Sequence, residues 1–145
     1  MAVDRCTTHG GLRFHTSAKF RILNGKAYAV CGSLAEGLAF MDWIETPTND
    51  PCPLSSETCV VMLDLETGQY GSWEFPGMFI RSEDKFEAWG SGGHLAIGAM
   101  AAGATAEEAV KIAAAWDEGT GFGVLTARAK PKATRKRARK PEVAE

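Results

Sequence analysis

The stretch from Trp89-Gly90-Ser91-Gly92-Gly93-His94 to Trp116-Asp117-Glu118-Gly119-Thr120-Gly121 decides how this chain is read. Just before it, Lys85-Phe86-Glu87-Ala88-Trp89 alternates polar and apolar residues, the period of a half-buried strand. His94 to Ala102 holds no Pro and no turn pair, so it reads as helix, and Gly103-Ala104 break the run. Thr105-Ala106-Glu107-Glu108 is a capping box: the Thr105 hydroxyl can accept the Glu108 N–H while Glu108 reaches back. The helix that follows carries Ala109, Val110, Ala113 and Trp116 on one face. The expected order is strand, glycine-rich turn, helix, tight corner, helix, Asp-containing glycine-rich turn, strand.

A glycine-rich turn between strand and helix can cradle a phosphate on the helix N-terminus. The dinucleotide fingerprint needs a third glycine where Leu95 stands, and a later strand ending in an acid. The chain has neither, and no Gly-Lys-Ser/Thr pair. The turn therefore reads as a device that lets a helix pack close to its strand, and no cofactor is expected.

The 145 residues suggest one domain with room for a core, and the 45% apolar content is ordinary for a globular chain. No apolar run approaches the roughly 18 residues of a membrane span, and no signal-peptide pattern is visible. Cys6, Cys31, Cys52 and Cys59 form no Cys-x-x-Cys pair. Zinc held by Cys52, Cys59 and a histidine is a weak alternative to free thiols, so no metal is expected. The cysteine usage fits a reducing cytoplasm. Net charge is uneven. Residues 1–127 carry 8 Lys/Arg against 16 Asp/Glu, and residues 128–145 carry 8 Lys/Arg against 2 Glu. The expected division is a folded domain over 1–127 and a basic, disordered tail over 128–145.

Met1-Ala2-Val3 is apolar, and His9-Gly10-Gly11 is a turn. Ser17 to Leu23 alternates, Asn24-Gly25 is a strong type I′ hairpin signal, and Lys26 to Cys31 is the return strand, mostly apolar and so expected to be covered on both faces. Ser33-Leu34-Ala35-Glu36 reads as a second capping box, opening a helix to about Glu45 whose buried side is Leu34, Leu38, Met41 and Trp43/Ile44. Thr46 to Ser56 holds three prolines and is a loop. Thr58 to Leu65 and Tyr70 to Phe75 are strands about a Glu66-Thr67-Gly68-Gln69 turn. Pro76-Gly77 begins a connection through Phe79-Ile80 to the strand at Lys85. The pattern is α+β, with helices covering an antiparallel sheet system.

The Gly90-Ser91-Gly92-Gly93 turn, the helix pair opened by Thr105-Ala-Glu-Glu, and Asp117-Glu-Gly-Thr120-Gly121 together resemble the C-terminal half of proteasome β-type subunits. The likeness is greatest to the bacterial HslV peptidase and compact phage proteins of that family, which are N-terminal-nucleophile (Ntn) hydrolases. It covers residues 1 to about 127. It implies a four-layer αββα sandwich and a threonine-type endopeptidase that cleaves peptide bonds by acyl transfer. It also implies peptide or unfolded-protein substrates, a homo-oligomeric ring and an ATPase unfoldase as partner.

The resemblance continues at the N-terminal end. Ala2-Val3-Asp4 resembles the family's strand ending in an acid, and Ser17-Ala18-Lys19-Phe20 the segment bearing its catalytic lysine. By that match Lys19 is the active-site ammonium and Asp4 its partner. The family's nucleophile is an N-terminal Thr whose own α-amine acts as base. A nearby Lys⁺ lowers the pKa of that amine and attracts the developing alkoxide. Ser91 matches the serine that hydrogen-bonds the amine, and Asp117 and Thr120 match its supports. Ala29 falls near the backbone N–H that serves as oxyanion donor. Singly, Lys19 reads as a solvated strand lysine, Asp4 as a turn acid, and Ser91 and Thr120 as turn hydroxyls. Their joint order and spacing carry the match.

One departure matters. The family nucleophile would lie about a dozen residues upstream of Asp4, and Thr7 and Thr8 follow it. Two explanations remain open: Met1 is an internal methionine with the true start upstream, or the protein is an inactive, structural subunit. A Pro-rich loop stands where larger relatives have a longer helical pair, which puts docking to an ATPase in doubt. A reading from another class is weak, non-specific nucleic-acid binding through the basic tail.

Overall fold

The computed structural model describes residues 1–131. Its strands are β1 (Ala2–Asp4), β2 (Cys6–His9), β3 (Leu12–His15), β4 (Phe20–Leu23) and β5 (Lys26–Cys31), followed by helix α1 (Leu34–Glu45). Then come β6 (Cys59–Asp64), β7 (Tyr70–Glu74), β8 (Met78–Arg81), helices α2 (Gly93–Ala101) and α3 (Ala106–Trp116), and β9 (Val124–Thr126). Strands β4 to β8 form one antiparallel sheet in sequence order, β2 pairs with β3, and β1 pairs with β9. At the β4–β5 turn Asn24 and Gly25 both take positive φ, 48° and 73°, as a type I′ turn requires.

Strand β5 shows why the sequence reads apolar on both faces. Tyr28 and Val30 point to α1 and join Phe40, Met41, Leu54, Val60 and Met62 in the largest core cluster. Ala27 and Ala29 point the other way, where Val61, Leu63, Val3 and Ala127 meet them. The alanines are small because a second layer of strands, β1 and β9, lies on that face. Helix α3 packs on β1 and β9, and α2 packs on α3. The layers run α1, five-stranded sheet, β1–β9, α2–α3. This is the expected αββα order, with the second sheet short.

Helix α1 packs unusually close to β5. A Cβ on Gly37 would overlap both γ-methyls of Val30, so the position needs glycine. Its buried side is Gly37, Phe40 and Met41; Leu34 and Leu38 are only half-buried, and Phe40 takes the place the periodicity gave to Leu38. Phe40 stacks at 5.8 Å on Trp43 and 5.5 Å on Trp73, two bulky rings that hold it inward. The capping box at Ser33 is half made. Ser33 Oγ accepts the Glu36 N–H, but the Ser33 N–H goes to Thr58 Oγ1. Glu36 turns away to accept from the Ser55 N–H and hydroxyl, pinning the Pro-rich loop. The box at Thr105 and Glu108 is complete.

Lys85–Trp89 is not a strand, and the sheet ends instead on β8, where the sequence suggested a connection. β8 takes the edge of β7 and is the last strand of the sheet, and Lys85–Trp89 adds no further rung to it. The segment is held instead by the Tyr70 hydroxyl, which donates to Asp84 O, and by the edge contact of Tyr70 on Trp89. Ala109 and Ala113 of α3 are buried, but Trp116, the last residue of the helix, is 80% exposed.

No helix among the described residues is long and apolar enough to cross a membrane. Beyond β9 the chain runs back along the body: Lys130 N–H donates to Leu65 O and its ammonium pairs with Glu66. The rest of the expected basic tail, from residue 132, lies outside the described residues.

Candidate active site

Asp4 closes β1 at the edge of a cavity of about 460 Å³. Lys19 precedes β4, and its Nζ donates to Asp4 Oδ1 at 2.6 Å and to the Cys6 carbonyl at 2.8 Å. Both side chains are mostly buried, 14% and 15% exposed, so Lys19 is not the solvated lysine that it resembles in isolation. An ammonium carries three N–H donors, and among the described residues protein acceptors take two of Lys19's. The third is available to the cavity, whose wall Lys19 lines. The second Asp4 oxygen accepts from the Cys6 N–H at 2.8 Å and the Gly121 N–H at 3.1 Å. Asp4 is therefore fixed from three directions, and it fixes the ammonium in turn.

A second cluster lies on the same cavity. Asp117 caps the C-terminal end of α3, and its Oδ2 accepts from the Ser91 hydroxyl at 2.7 Å and the Thr120 hydroxyl at 2.6 Å. Hydrogen bonds from Thr120 first and Ser91 second hold the Asp117 carboxyl below the usual aspartate range. Backbone must come very near for this. A Cβ on Gly119 would overlap Ser91 Oγ, and one on Gly92 would press on Thr120 Oγ1. Gly92 and Gly119 are thus accounted for by close approach within this cluster. Arg13 joins from β3: its Nη2 donates to Thr120 O at 2.9 Å, and its guanidinium lies 5.1 Å from the Phe122 ring centre.

The sequence-derived candidates thus fall into two contacting sets. Asp4 and Lys19 touch, as do Ser91, Asp117 and Thr120, and Asp4 bridges the sets through the Gly121 backbone. Ala29 also lines the cavity, but as wall. Val30 N–H donates to Lys19 O, so Val30 turns its backbone to β4 and Ala29 turns its own to β6, inside the ladder. Gly32, just past the strand end, also lines the cavity, and its N–H makes no hydrogen bond among the described residues. Gly32 has φ 106°, and a Cβ there would strike Glu57 and Thr58. The Gly32-Ser33 pair between an apolar strand and an N-cap was readable in sequence. Arg13 and the Cys6 carbonyl carried no such signal. Among the described residues no cluster of His, Cys, Asp or Glu has the makings of a metal site, and Cys52 and Cys59 are not brought together with a histidine.

No protein-family model and no curated protein matches the chain. Solved structures do. The chain is similar to Thiobacillus denitrificans BPH, including a structure of it in complex with epoxomicin, at TM-score 0.69 and 20% identity. It is also similar to the HslV of Trypanosoma brucei, a eukaryotic HslV, at TM-score 0.62 and 19% identity. Each likeness covers 86% of this chain and 88% of the other. The chain shares the fold of these BPH and HslV structures, in keeping with the αββα sandwich that the resemblance implied.

Proposed function

We propose that this chain is a subunit of an HslV-like, threonine-type endopeptidase, and that the cavity beside Lys19 is where peptide bonds are cleaved by acyl transfer. The observation that carries the reading is the Lys19 ammonium, clamped by Asp4 and the Cys6 carbonyl with one donor left for the cavity. A fixed cation at that point lowers the pKa of an adjacent amine and stabilises a developing alkoxide. The Ser91–Asp117–Thr120 cluster supplies the hydroxyl that orients the amine. Gly32, rather than Ala29, supplies the backbone N–H for the oxyanion. The substrate is a peptide or unfolded protein, and the working form is a homo-oligomeric ring. Exposed Trp116, Ile112 and Leu95 on the α2–α3 layer are apolar surface suited to contacts between copies.

The chemistry needs an Oγ and a free α-amine on one residue beside Lys19. Thr7, Thr8, Ser91 and Thr120 line the cavity with hydroxyls but have no α-amine. The α-amine of Met1 donates to Ala127 O at 2.8 Å, and Met1 has no hydroxyl. Among the described residues β1 pairs in a ladder with β9 alone and lines the cavity, and we take its second edge as the place for a strand bearing a terminal Thr. The same observation favours a second reading, a structural subunit without catalysis. One assay separates them: fluorogenic peptide hydrolysis by the 145-residue chain and by a version extended upstream with a Thr-initiated strand. The peptidase reading expects no turnover from the first and epoxyketone-sensitive turnover from the second. A well-folded, inactive extended chain favours the structural subunit.

A further inference from the structure

Strand β5 ends on a cysteine and β6 begins on one, and the register sets Cys31 directly opposite Cys59. Because Val30 turns its backbone to β4, Cys31 turns its own to β6, making Cys31 and Cys59 a hydrogen-bonded antiparallel pair. Such pairs have Cα atoms about 5.5 Å apart with both side chains on one face. That separation falls inside the roughly 4.4–6.8 Å spanned by disulfides. The pair is also the last rung of its ladder, so the strand ends can close the remaining gap between the sulfurs without disturbing a paired neighbour on the far side.

The two thiols open onto different spaces. Cys31 lines the main cavity with Lys19 and Gly32. Cys59 lines a shallow surface depression with Ser56, Glu57, Glu74 and Phe75. All four cysteines of the chain are free thiols, and Cys6 and Cys52 have no cysteine opposite them in a ladder. The Cys31 sulfur draws the Cys59 thiol below its usual range, while Cys59 and burial push Cys31 far up. The thiolate is the reactive form, so the outward-facing member of the pair reacts first.

We propose that Cys31 and Cys59 are a dithiol site for an oxidant of the hydroperoxide class, which links them into a cross-strand disulfide on the wall of the cavity. The Cys59 thiolate attacks one peroxide oxygen and the O–O bond breaks. Hydrogen peroxide leaves as hydroxide, which takes up a proton to become water, and Cys59 becomes a sulfenic acid. The Cys31 sulfur then attacks the Cys59 sulfur, the S–O bond breaks, and the Cys31 proton leaves with the hydroxyl as a second water. Two thiols and one peroxide give one disulfide and two waters. The bond draws in the end of β5 immediately before Gly32, coupling oxidant at the outer depression to the shape of the cavity. The argument rests on the strand register and stands whether or not the cavity is catalytic.

The test uses the full chain, treated with hydrogen peroxide, quenched, alkylated under denaturing conditions and mapped by proteolysis and mass spectrometry. The intact mass should fall by two hydrogens, with one cross-linked peptide joining Cys31 to Cys59 and with Cys6 and Cys52 still alkylated. Dithiothreitol should restore all four thiols. In Cys31→Ser the mass loss should vanish and Cys59 should be trapped by dimedone as sulfenic acid. The proposal is overturned if Cys59 stays alkylatable after peroxide, goes to sulfinic acid without joining Cys31, or links instead to Cys6, Cys52 or another chain.

Discussion

The Asp4 carboxylate accepts the Gly121 N–H at 3.1 Å, joining two ends of the chain 117 residues apart. One Asp4 oxygen faces Lys19 and the other holds the backbone just after Thr120. Lys19, Asp4, Gly121, Thr120, Asp117 and Ser91 therefore form one connected network around the cavity. Its rigidity depends on Asp4 more than on any other member.

That asymmetry gives an ordering. Asp4→Ala strips three donors at once: the Lys19 ammonium and the N–H groups of Cys6 and Gly121. Leaving a mostly buried cation unpaired costs about 3–5 kcal/mol. Lys19→Ala leaves Asp4 with two backbone partners and should cost less, about 1–2 kcal/mol. Urea unfolding of both variants checks this, and a Lys19→Ala variant less stable than Asp4→Ala would contradict it.

Gly119→Ala tests the close approach at the second cluster. The new methyl must displace Ser91 Oγ, breaking its bond to Asp117. A loss of about 1–3 kcal/mol is expected. Gly90→Ala, in the neighbouring turn, meets nothing within 4 Å of its added Cβ, but φ there is 93°, so it reports backbone strain alone. If the Gly119 change costs no more than the Gly90 change, the packing account of the turn fails.

Asp117 makes part of the stability depend on pH. Its folded-state pKa is depressed, by Thr120 first and Ser91 second. A depressed carboxyl contributes stability that is fully present above the unfolded value of about 3.9 and is lost as pH falls through the folded value. The melting temperature of the native chain should exceed that of Asp117→Asn at pH 6, with the gap narrowing below about pH 4. A gap that stays constant down to pH 2.5 would show that the carboxylate's charge is not what holds Ser91 and Thr120.

Phe40 should be the costliest side chain of α1 to truncate. It is fully buried between Trp43 and Trp73, and Phe40→Ala should cost about 3–5 kcal/mol. Half-buried Leu38 should cost clearly less in the same measurement.

The hairpin at Asn24-Gly25, the capping box at Thr105 and the two-faced apolar strands were legible because each is a local signal. The pairings at the site were legible only in part. Asp4 and Lys19 stood out through order and spacing, but nothing near Arg13 or Cys6 in the chain shows what they meet. Lys85–Trp89 misled because alternation reports a half-buried surface, and here that surface is a segment along a cavity with no ladder partner. β8 was missed because its outer face leaves Met78 and Ile80 exposed, so its four residues lack the alternation of a buried edge. Glu36 looked like a capping residue because the box is defined by spacing, and spacing cannot show that the Ser55 loop competes for its carboxylate.

The central claim is that the clamped Lys19 ammonium does chemistry in the cavity. The most direct measurement is peptide turnover by the Thr-extended chain carrying Lys19→Ala, with circular dichroism and the melting curve recorded on the same sample. Removing one preorganised electrostatic group of this kind typically costs about 10²–10³ in kcat. The account predicts a folded variant whose turnover falls at least that far while epoxyketone-sensitive turnover persists in the parent. A folded Lys19→Ala variant that turns over peptide at near the parent rate would contradict it.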